Sequence, residues 1–306
     1  MYKINALLPA VLLLFLGAAA QKKNNHLAEY ELRGMVKSTE LRSFTAMSNF
    51  GKVAKGQRTA DNASYLFNTS GNLMEQYIYN STGSLRVKYV YQYNAADRVL
   101  EKSVFKAGGV LKAFYKYRYG SNGSMEEQLM YHPDRTLAKI YRYQYDKKVN
   151  PTVSTTYNAD GTLDAKSISI YDAKGNQTES LSLNADSTVE LKLRYAYDST
   201  GNLITEDIYT NADSIYRKTL YSYNEKKKAI ATSILEADGT FKKTLYKYDA
   251  QGNITEETLL DKDDNVIDKY TYRYEYDKRM NWIRKTTYRN GIPTLIVERD
   301  FEYFKK

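Results

Sequence analysis

A pair of tyrosines two residues apart recurs along this chain at a nearly fixed interval. That interval constrains the fold more than any other feature of the sequence. The first tyrosine of the pair falls at Tyr65 (as Tyr-Leu-Phe), Tyr91, Tyr117 and Tyr143. Ser169 replaces it once, ahead of Tyr171, and Tyr195, Tyr221, Tyr246 and Tyr274 follow. Six successive spacings are 26 residues and the last two are 25 and 28. A fixed period of this length marks an array of supersecondary units, each burying its apolar face against its neighbours.

Two turn phrases punctuate each period. The first is Asp/Asn-x-x-Gly-Asn, at Asn68–Asn72, Asp172–Asn176, Asp198–Asn202 and Asp249–Asn253. An Asp or Asn side chain bonds its own backbone two residues on, and glycine accepts the positive φ that closes such a loop. The second is Asn158-Ala-Asp160-Gly161, echoed at Glu236–Gly239 and, with serine for glycine, at Asn211–Ser214. Asp-Gly between alternating runs is a hairpin signal. Between the turns, Leu85, Val87, Tyr89, Tyr91 and Tyr93 share one face of an extended segment, and Arg86, Lys88, Val90 and Gln92 share the other. Each period therefore reads as two antiparallel strands. The expected fold is all-β: an antiparallel meander of β-hairpin repeats forming one long curved or spiralling sheet. With an N-terminal cap this gives about 18 strands, ~85 Å wide if flat at ~4.8 Å per strand. Open sheets of more than ~10 strands curl or split, so the tyrosine face is expected to be concave.

The chain divides into three parts. Residues 1–20 carry Lys3, an apolar run from Leu7 to Leu16, and Ala18-Ala19-Ala20, the pattern of a cleaved secretory signal peptide. Residues 21–64 form a flexible lead, with His26 in it, and degenerate capping strands. Residues 65–306 form the repeat array, ending in a closing strand at Phe301–Phe304. The chain contains no cysteine, which excludes disulfides and a lipid-anchored leader. No segment after the leader is apolar enough to span a bilayer as a helix. A secreted or periplasmic, cell-surface location is expected.

Composition suits a thin sheet with much of its area near water. There are 31 tyrosines, and tyrosine can bury its ring while its hydroxyl stays wet. The formal charge of +9 becomes +8 once Lys3 leaves with the leader. Lysines stand three before several tyrosine pairs (Lys88, Lys166, Lys192, Lys218 and Lys243), and glutamates ten after (Glu75, Glu101, Glu127, Glu179 and Glu256). Cross-strand Lys/Glu pairs account for most of both columns.

The sequence offers little for covalent chemistry. Its two histidines, His26 and His132, have no motif around them and read as incidental surface residues. No cofactor and no metal are expected. Asp261-Lys262-Asp263-Asp264-Asn265 begins like a calcium loop but has Val266 and Tyr272 where an EF-hand needs glycine and glutamate, so it reads as a polar hairpin tip. Lysines and aromatics alternate onto opposite faces, which argues against a nucleic-acid platform.

Tyr195-x-Tyr197-Asp198-x-x-Gly201-Asn202-Leu203 and Tyr246-x-Tyr248-Asp249-x-x-Gly252-Asn253-Ile254 resemble the YD repeat of the RHS/YD-repeat proteins. The resemblance covers residues 65 to about 290. It implies secretion or surface exposure, sheets of β-hairpins that wrap into shells, and an association with carbohydrate binding and cell contact. The large members enclose a C-terminal toxin domain. This chain ends after its last repeat, so small secreted members without a toxin domain are the better comparison.

The expected function is a non-catalytic scaffold that binds a polysaccharide or a cell-surface protein through its tyrosine face. The candidate binding residues are Tyr65, the pairs Tyr91/Tyr93, Tyr117/Tyr119 and Tyr143/Tyr145, the pairs Tyr195/Tyr197, Tyr221/Tyr223 and Tyr246/Tyr248, and Tyr274. Rings near the open ends of the array, such as Tyr65 and Tyr274, are expected to stay exposed and stack on sugars. The alternative is a secreted carbohydrate-active enzyme using acidic residues in the concave face.

Overall fold

The computed structural model describes residues 25–210 and 214–305. The expected leader and the Asn211–Asp213 part of one turn lie outside the described residues. A short helix, α1 (His26–Glu29), precedes β1 (Val36–Asn49), β2 (Lys52–Arg58), β3 (Asn62–Phe67) and β4 (Leu73–Tyr79). The array continues through β5 (Leu85–Tyr93), β6 (Val99–Lys106), β7 (Leu111–Tyr119), β8 (Met125–Tyr131), β9 (Leu137–Tyr145), β10 (Pro151–Asn158), β11 (Leu163–Tyr171) and β12 (Gln177–Asn184). It ends with β13 (Val189–Tyr197), β14 (Leu203–Thr210), β15 (Ser214–Tyr223), β16 (Ala229–Glu236), β17 (Phe241–Tyr248), β18 (Ile254–Leu260), β19 (Val266–Tyr276), β20 (Trp282–Arg289) and β21 (Ile292–Tyr303).

From β3 to β21 every strand pairs antiparallel with the next, which is the expected meander. The sheet is not open, however. One edge of β1 pairs with β21 from Val36↔Tyr303 to Thr45↔Leu295. Its other edge pairs with β3 over Ser38–Leu41 and with β2 from Phe44 to Asn49. The strands read as a terminal cap are thus the seam between the first and last hairpins. The 21 strands occupy twenty positions around a closed barrel, since β2 and β3 act as one interrupted strand. Asn62 fastens that interruption: its Oδ1 accepts from Ser43 N–H and Arg58 Nε, both at 3.0 Å. Closure removes the open sheet edges that would template aggregation.

The register sets the tilt. Tyr143 pairs with Ser154, Ser154 with Ser167, Ser167 with Ser182, and Ser182 with Leu191, four residues short of the repeat equivalent Tyr195. The stagger is therefore one residue per strand. At ~3.3 Å per residue and ~4.8 Å per strand the strands tilt by roughly 35°, and a round barrel of twenty is about 35–40 Å across.

Both turn phrases close the same way. Asp198 N–H donates to Asn202 O at 2.9 Å and Gly201 N–H to Asp198 O at 3.1 Å; Asn158, Gly161 and Thr162 repeat this at 2.9 and 3.0 Å. Asp198 Oδ1 accepts the N–H groups of Thr200 and Asn202, and Oδ2 takes the Asn202 amide at 2.8 Å. This explains the phrase: aspartate has one oxygen for the backbone and one for the asparagine after glycine. Gly201 has φ 85°, and Val149, Lys227 and Met280 hold the same left-handed position at φ 66°, 58° and 63°. The side-chain bonds keep the turn where glycine is missing. Asp261–Asn265 is such a turn, with Oδ1 accepting from Asp263 and Asn265 N–H at 2.9 Å each.

The lead is ordered from Asn25, which corrects the flexible reading, and Tyr30 to Met35 precede the first strand. Leu27 N–H donates to Gly71 O at 3.1 Å and Asn25 Nδ2 to Ser70 O at 2.8 Å. Arg33 N–H and O bond the Asn281 side chain, both at 2.8 Å. The lead thus bridges the β3–β4 and β19–β20 turns across the seam. Leu27 forms a small core with Val36, Phe67 and Leu73. His26 is no incidental surface residue: its Nδ1 accepts from Leu73 N–H at 3.2 Å, beside the Tyr91 and Tyr93 rings, and burial pushes its pKa down.

Candidate functional site: the inner wall and its mouth

A closed sheet has one inner face, and the tyrosines line it. The lead packs on that face, against Tyr65 and Tyr91. Desolvation pushes Tyr91, Tyr143 and Tyr221 up to about 12. On the opposite face, by contrast, hydrogen-bonded ion partners set the shifts: Glu179 holds Arg194 up, and Lys247 and Lys269 hold Glu256 down.

The two members of each tyrosine pair do different work. The second reaches along the tilted wall to a main-chain carbonyl of the preceding hairpin, usually 20 residues back. Tyr93 donates to Leu73 O (2.6 Å), Tyr119 to Val99 O (2.9 Å), Tyr145 to Met125 O (2.8 Å), Tyr197 to Gln177 O (2.8 Å) and Tyr223 to Leu203 O (2.8 Å). Tyr171 follows the rule without a first tyrosine, and Tyr248 bonds Ala229 O at 2.6 Å. These side chains hold the wall together. Among the described residues, the hydroxyls of Tyr91, Tyr117, Tyr143, Tyr195 and Tyr221 have no protein hydrogen-bond partner. Tyr246 shares its hydroxyl with Thr232 at 3.1 Å.

Opposite each first tyrosine, eleven residues on, stands a second inner row: Gln76, Lys102, Gln128, Ser154, Ser180, Glu206, Thr232, Glu257 and Lys285. Sequence reasoning missed this row. Its signal is a column that varies where the neighbouring one is largely glutamate. Burial raises the Glu206 pKa against the pull of Arg217, and lowers those of Lys102 and Lys285. Lys102 lies 4.2 Å over the Tyr115 ring and Lys285 4.2 Å over Tyr272.

At one mouth, the lead and the turns after β17 and β19 enclose a cleft of about 350 Å³. Its lining includes Tyr30, Lys228, Asn253, Trp282 and Arg299. The Arg299 guanidinium stacks 3.9 Å from the Trp282 ring and 4.9 Å from Phe301.

The structure brings the candidate tyrosines onto one wall but corrects three expectations. First, a closed barrel has no open-ended rings: Tyr65 packs against Tyr30 with centroids 5.2 Å apart, and Tyr274 against Trp282 at 6.3 Å. The Tyr274 hydroxyl is also committed, to Ile254 O at 3.0 Å. Second, the ladder rings are buried or half-buried in the wall rather than open, Tyr143 being only 8% exposed. Third, the glutamate column keeps its outer position but draws more on arginines than expected. Lys88–Glu75 (3.1 Å) and Lys192–Glu179 (3.9 Å) form as expected, whereas Glu127 binds Arg142 (3.1 Å) and Arg118 (3.7 Å). Lys218 and Lys243 pair with Asp207 and Asp264 instead, and Lys166 and Glu101 make no ion pair among the described residues.

These ion pairs sit mid-strand on the outer face of successive hairpins. A Lys or Arg at the midplane of a lipid-facing barrel wall costs about 2–4 kcal/mol; this outer face carries such charges beside exposed Leu66, Ile170, Leu220 and Leu245. Among the described residues no helix is long and apolar enough to cross a membrane.

No family model and no curated protein matches the chain. Among solved structures, it is similar to a porin-like protein from Bacteroides uniformis at TM-score 0.36 and 13% identity, covering 87% of this chain and 96% of that one. A porin-like protein from Bacteroides vulgatus gives TM-score 0.30 and 11% identity, covering 89% and 99%. A TcdB2–TccC3–Cdc42 complex gives TM-score 0.32 and 13% identity over 89% of this chain, which spans only 18% of that one. At this level of similarity the likeness does not bear on function.

Proposed function

We propose that this chain is a non-catalytic binding barrel, exported from the cytoplasm and standing in water, whose inner wall takes up a hydroxyl-rich chain such as a polysaccharide. The observation that carries this reading is the division of labour among the tyrosines. Second tyrosines are spent on the wall, while Tyr91, Tyr117, Tyr143, Tyr195 and Tyr221 leave their hydroxyls unpartnered beside a row of amides, hydroxyls and charges. Such a wall offers many donors and acceptors, few apolar faces, and geometry already held by packing. A folded protein partner suits it less well. With side chains taking about 5 Å from each wall, a round lumen is roughly 25 Å across, while a small domain is about 30 Å.

Catalysis by paired carboxylates fits less well too. The inner-face acids Asp268 and Glu236 are spent on Arg289 (2.7 Å) and Arg217 (3.2 Å). The inner-row acids Glu206 and Glu257 stand on β14 and β18, four strand steps apart. That is ~19 Å at ~4.8 Å per step, whereas glycosidase pairs work at about 5–9.5 Å. The test is retention on immobilised polysaccharides. Wild type is retarded on at least one neutral polysaccharide, and Tyr117/Tyr143/Tyr195→Phe loses at least tenfold in affinity with an unchanged melting temperature. No retention of wild type on any polysaccharide tried, or equal retention of the triple variant, refutes the proposal.

A further inference from the structure

The mouth cleft has a chemistry the rest of the wall lacks. Several inner- and outer-face cations of the barrel are answered by an opposite charge: Arg194 by Glu179, Arg289 by Asp268, Lys247 by Glu256. Arg299 is not. It sits on the inner face of β21, sandwiched by Trp282 and Phe301, and among the described residues makes no ion pair and donates no hydrogen bond to protein. Burial lowers its pKa to about 10, so it stays charged at neutral pH. The donors of its guanidinium fork thus border the cleft with no hydrogen-bond acceptor among the described residues, the Asp277 carboxylate acting on it only from a distance. Leaving a desolvated charge unpaired is costly, and a planar carboxylate is the group whose geometry matches that fork.

The remaining lining agrees in sign and kind. Arg33 and Lys228 are also cationic, against a single lining acid, Glu31. Lys228 reaches over the Gly252 turn, its Nζ 3.3 Å from where a Cβ would stand. Tyr30, Tyr276 and Trp282 supply rings, and Gln251, Asn253 and Asn281 supply amides. Rings, amides and a free guanidinium in about 350 Å³ match one or two sugar residues bearing a carboxylate.

We infer that this cleft binds a uronate residue of an acidic saccharide, with Arg299 taking the carboxylate in bidentate fashion, Lys228 and Arg33 adding positive field at the rim, and the rings and amides holding the sugar. The inference deepens the binding-barrel reading and rests on it for the saccharide.

The experiment is calorimetric titration of the whole protein with trigalacturonate, with neutral galactotriose and with citrate. Trigalacturonate binds at least tenfold more tightly than either, and its affinity falls as salt rises. Arg299→Met keeps the stacking stem, removes the fork, and loses at least tenfold for trigalacturonate while retention on neutral polysaccharide is unchanged. Lys228→Gln, at an exposed turn where folding is not at stake, loses two- to fivefold and flattens the salt dependence. Equal binding of galactotriose or citrate, or full uronate affinity in both variants, overturns the inference. Neutral polysaccharide retained without any uronate preference overturns it and leaves the binding barrel standing; retention of neither overturns both.

Discussion

Two triple substitutions separate the tyrosine roles. Tyr119/Tyr145/Tyr197→Phe removes three hydroxyls whose carbonyl acceptors lie 2.8–2.9 Å away. Each ring stays, so packing is preserved and only the hydrogen bond is lost, at about 0.5–1.5 kcal/mol apiece. The three sites lie on β7, β9 and β13, at least two strands apart, so their effects add, giving about 1.5–4.5 kcal/mol. Tyr117/Tyr143/Tyr195→Phe removes three hydroxyls with no protein partner and is expected to stay within about 0.5 kcal/mol per site. Urea unfolding followed by circular dichroism and tyrosine fluorescence reads both, with the slope unchanged if the unfolded state is unaffected. At about 2 °C per kcal/mol for a chain this long, the first triple melts roughly 3–9 °C lower. Equal losses in the two triples, or a larger loss in the second, would refute the division of labour.

Val149→Gly should stabilise the protein. Val149 holds φ 66° where Gly175 and Gly201 hold 90° and 85°. Relief of ~1–2 kcal/mol of left-handed strain, less the ~0.5–1 kcal/mol of entropy glycine brings, leaves a gain of up to about 1.5 kcal/mol and a melting point raised by up to roughly 3 °C. The Asp-capped turns set the acid limb of stability. The Asn202 backbone bond leads in holding the Asp198 pKa to about 2, below the unfolded value of ~3.9. This contribution is complete above roughly pH 5 and is lost as pH falls towards 2. Asp198→Asn keeps the backbone acceptor, as Asn224 does natively, so its stability profile should be flatter between about pH 4 and 2; an unchanged acid limb would refute the assignment.

What the sequence made legible was local. Gly201, Gly161 and Asp198 announce hairpin turns because positive φ and side-chain capping are properties of single residues. Period-two alternation from Leu85 to Tyr93 announces the two faces because pleating is local as well. Closure is not local. Pairing β1 with β21 joins segments about 260 residues apart, and neither Val36–Thr45 nor Leu295–Tyr303 carries the repeat that made the rest conspicuous. The tyrosine roles were hidden for a related reason. Tyr117 and Tyr119 have the same phase and chemistry; only the tilt brings Tyr119 within reach of Val99 O. The inner row from Gln76 to Lys285 looked like variation beside the regular glutamate column, although departure from the repeat is what a specific site requires. His26 seemed incidental because its partner, the Leu73 N–H, is a backbone group 47 residues away.

The central claim is that the meander closes on itself through β1, and the absence of cysteine makes that directly measurable. Glu40 pairs with Asp300 and Thr45 with Leu295, and these pairs fall on alternate positions of the ladder. Directly opposed residues of an antiparallel pair have Cα atoms about 4.5–5.5 Å apart, within reach of a disulfide. Glu40→Cys/Asp300→Cys and Thr45→Cys/Leu295→Cys, oxidised at micromolar protein, should form an intramolecular bridge in at least one pair. It would appear as a faster band without reductant and a cross-linked peptide by mass spectrometry. Glu40→Cys/Glu190→Cys, joining β1 to β13, should not. Bridges found only between chains, or in no pair, would mean that β1 and β21 are free edges and the sheet is open.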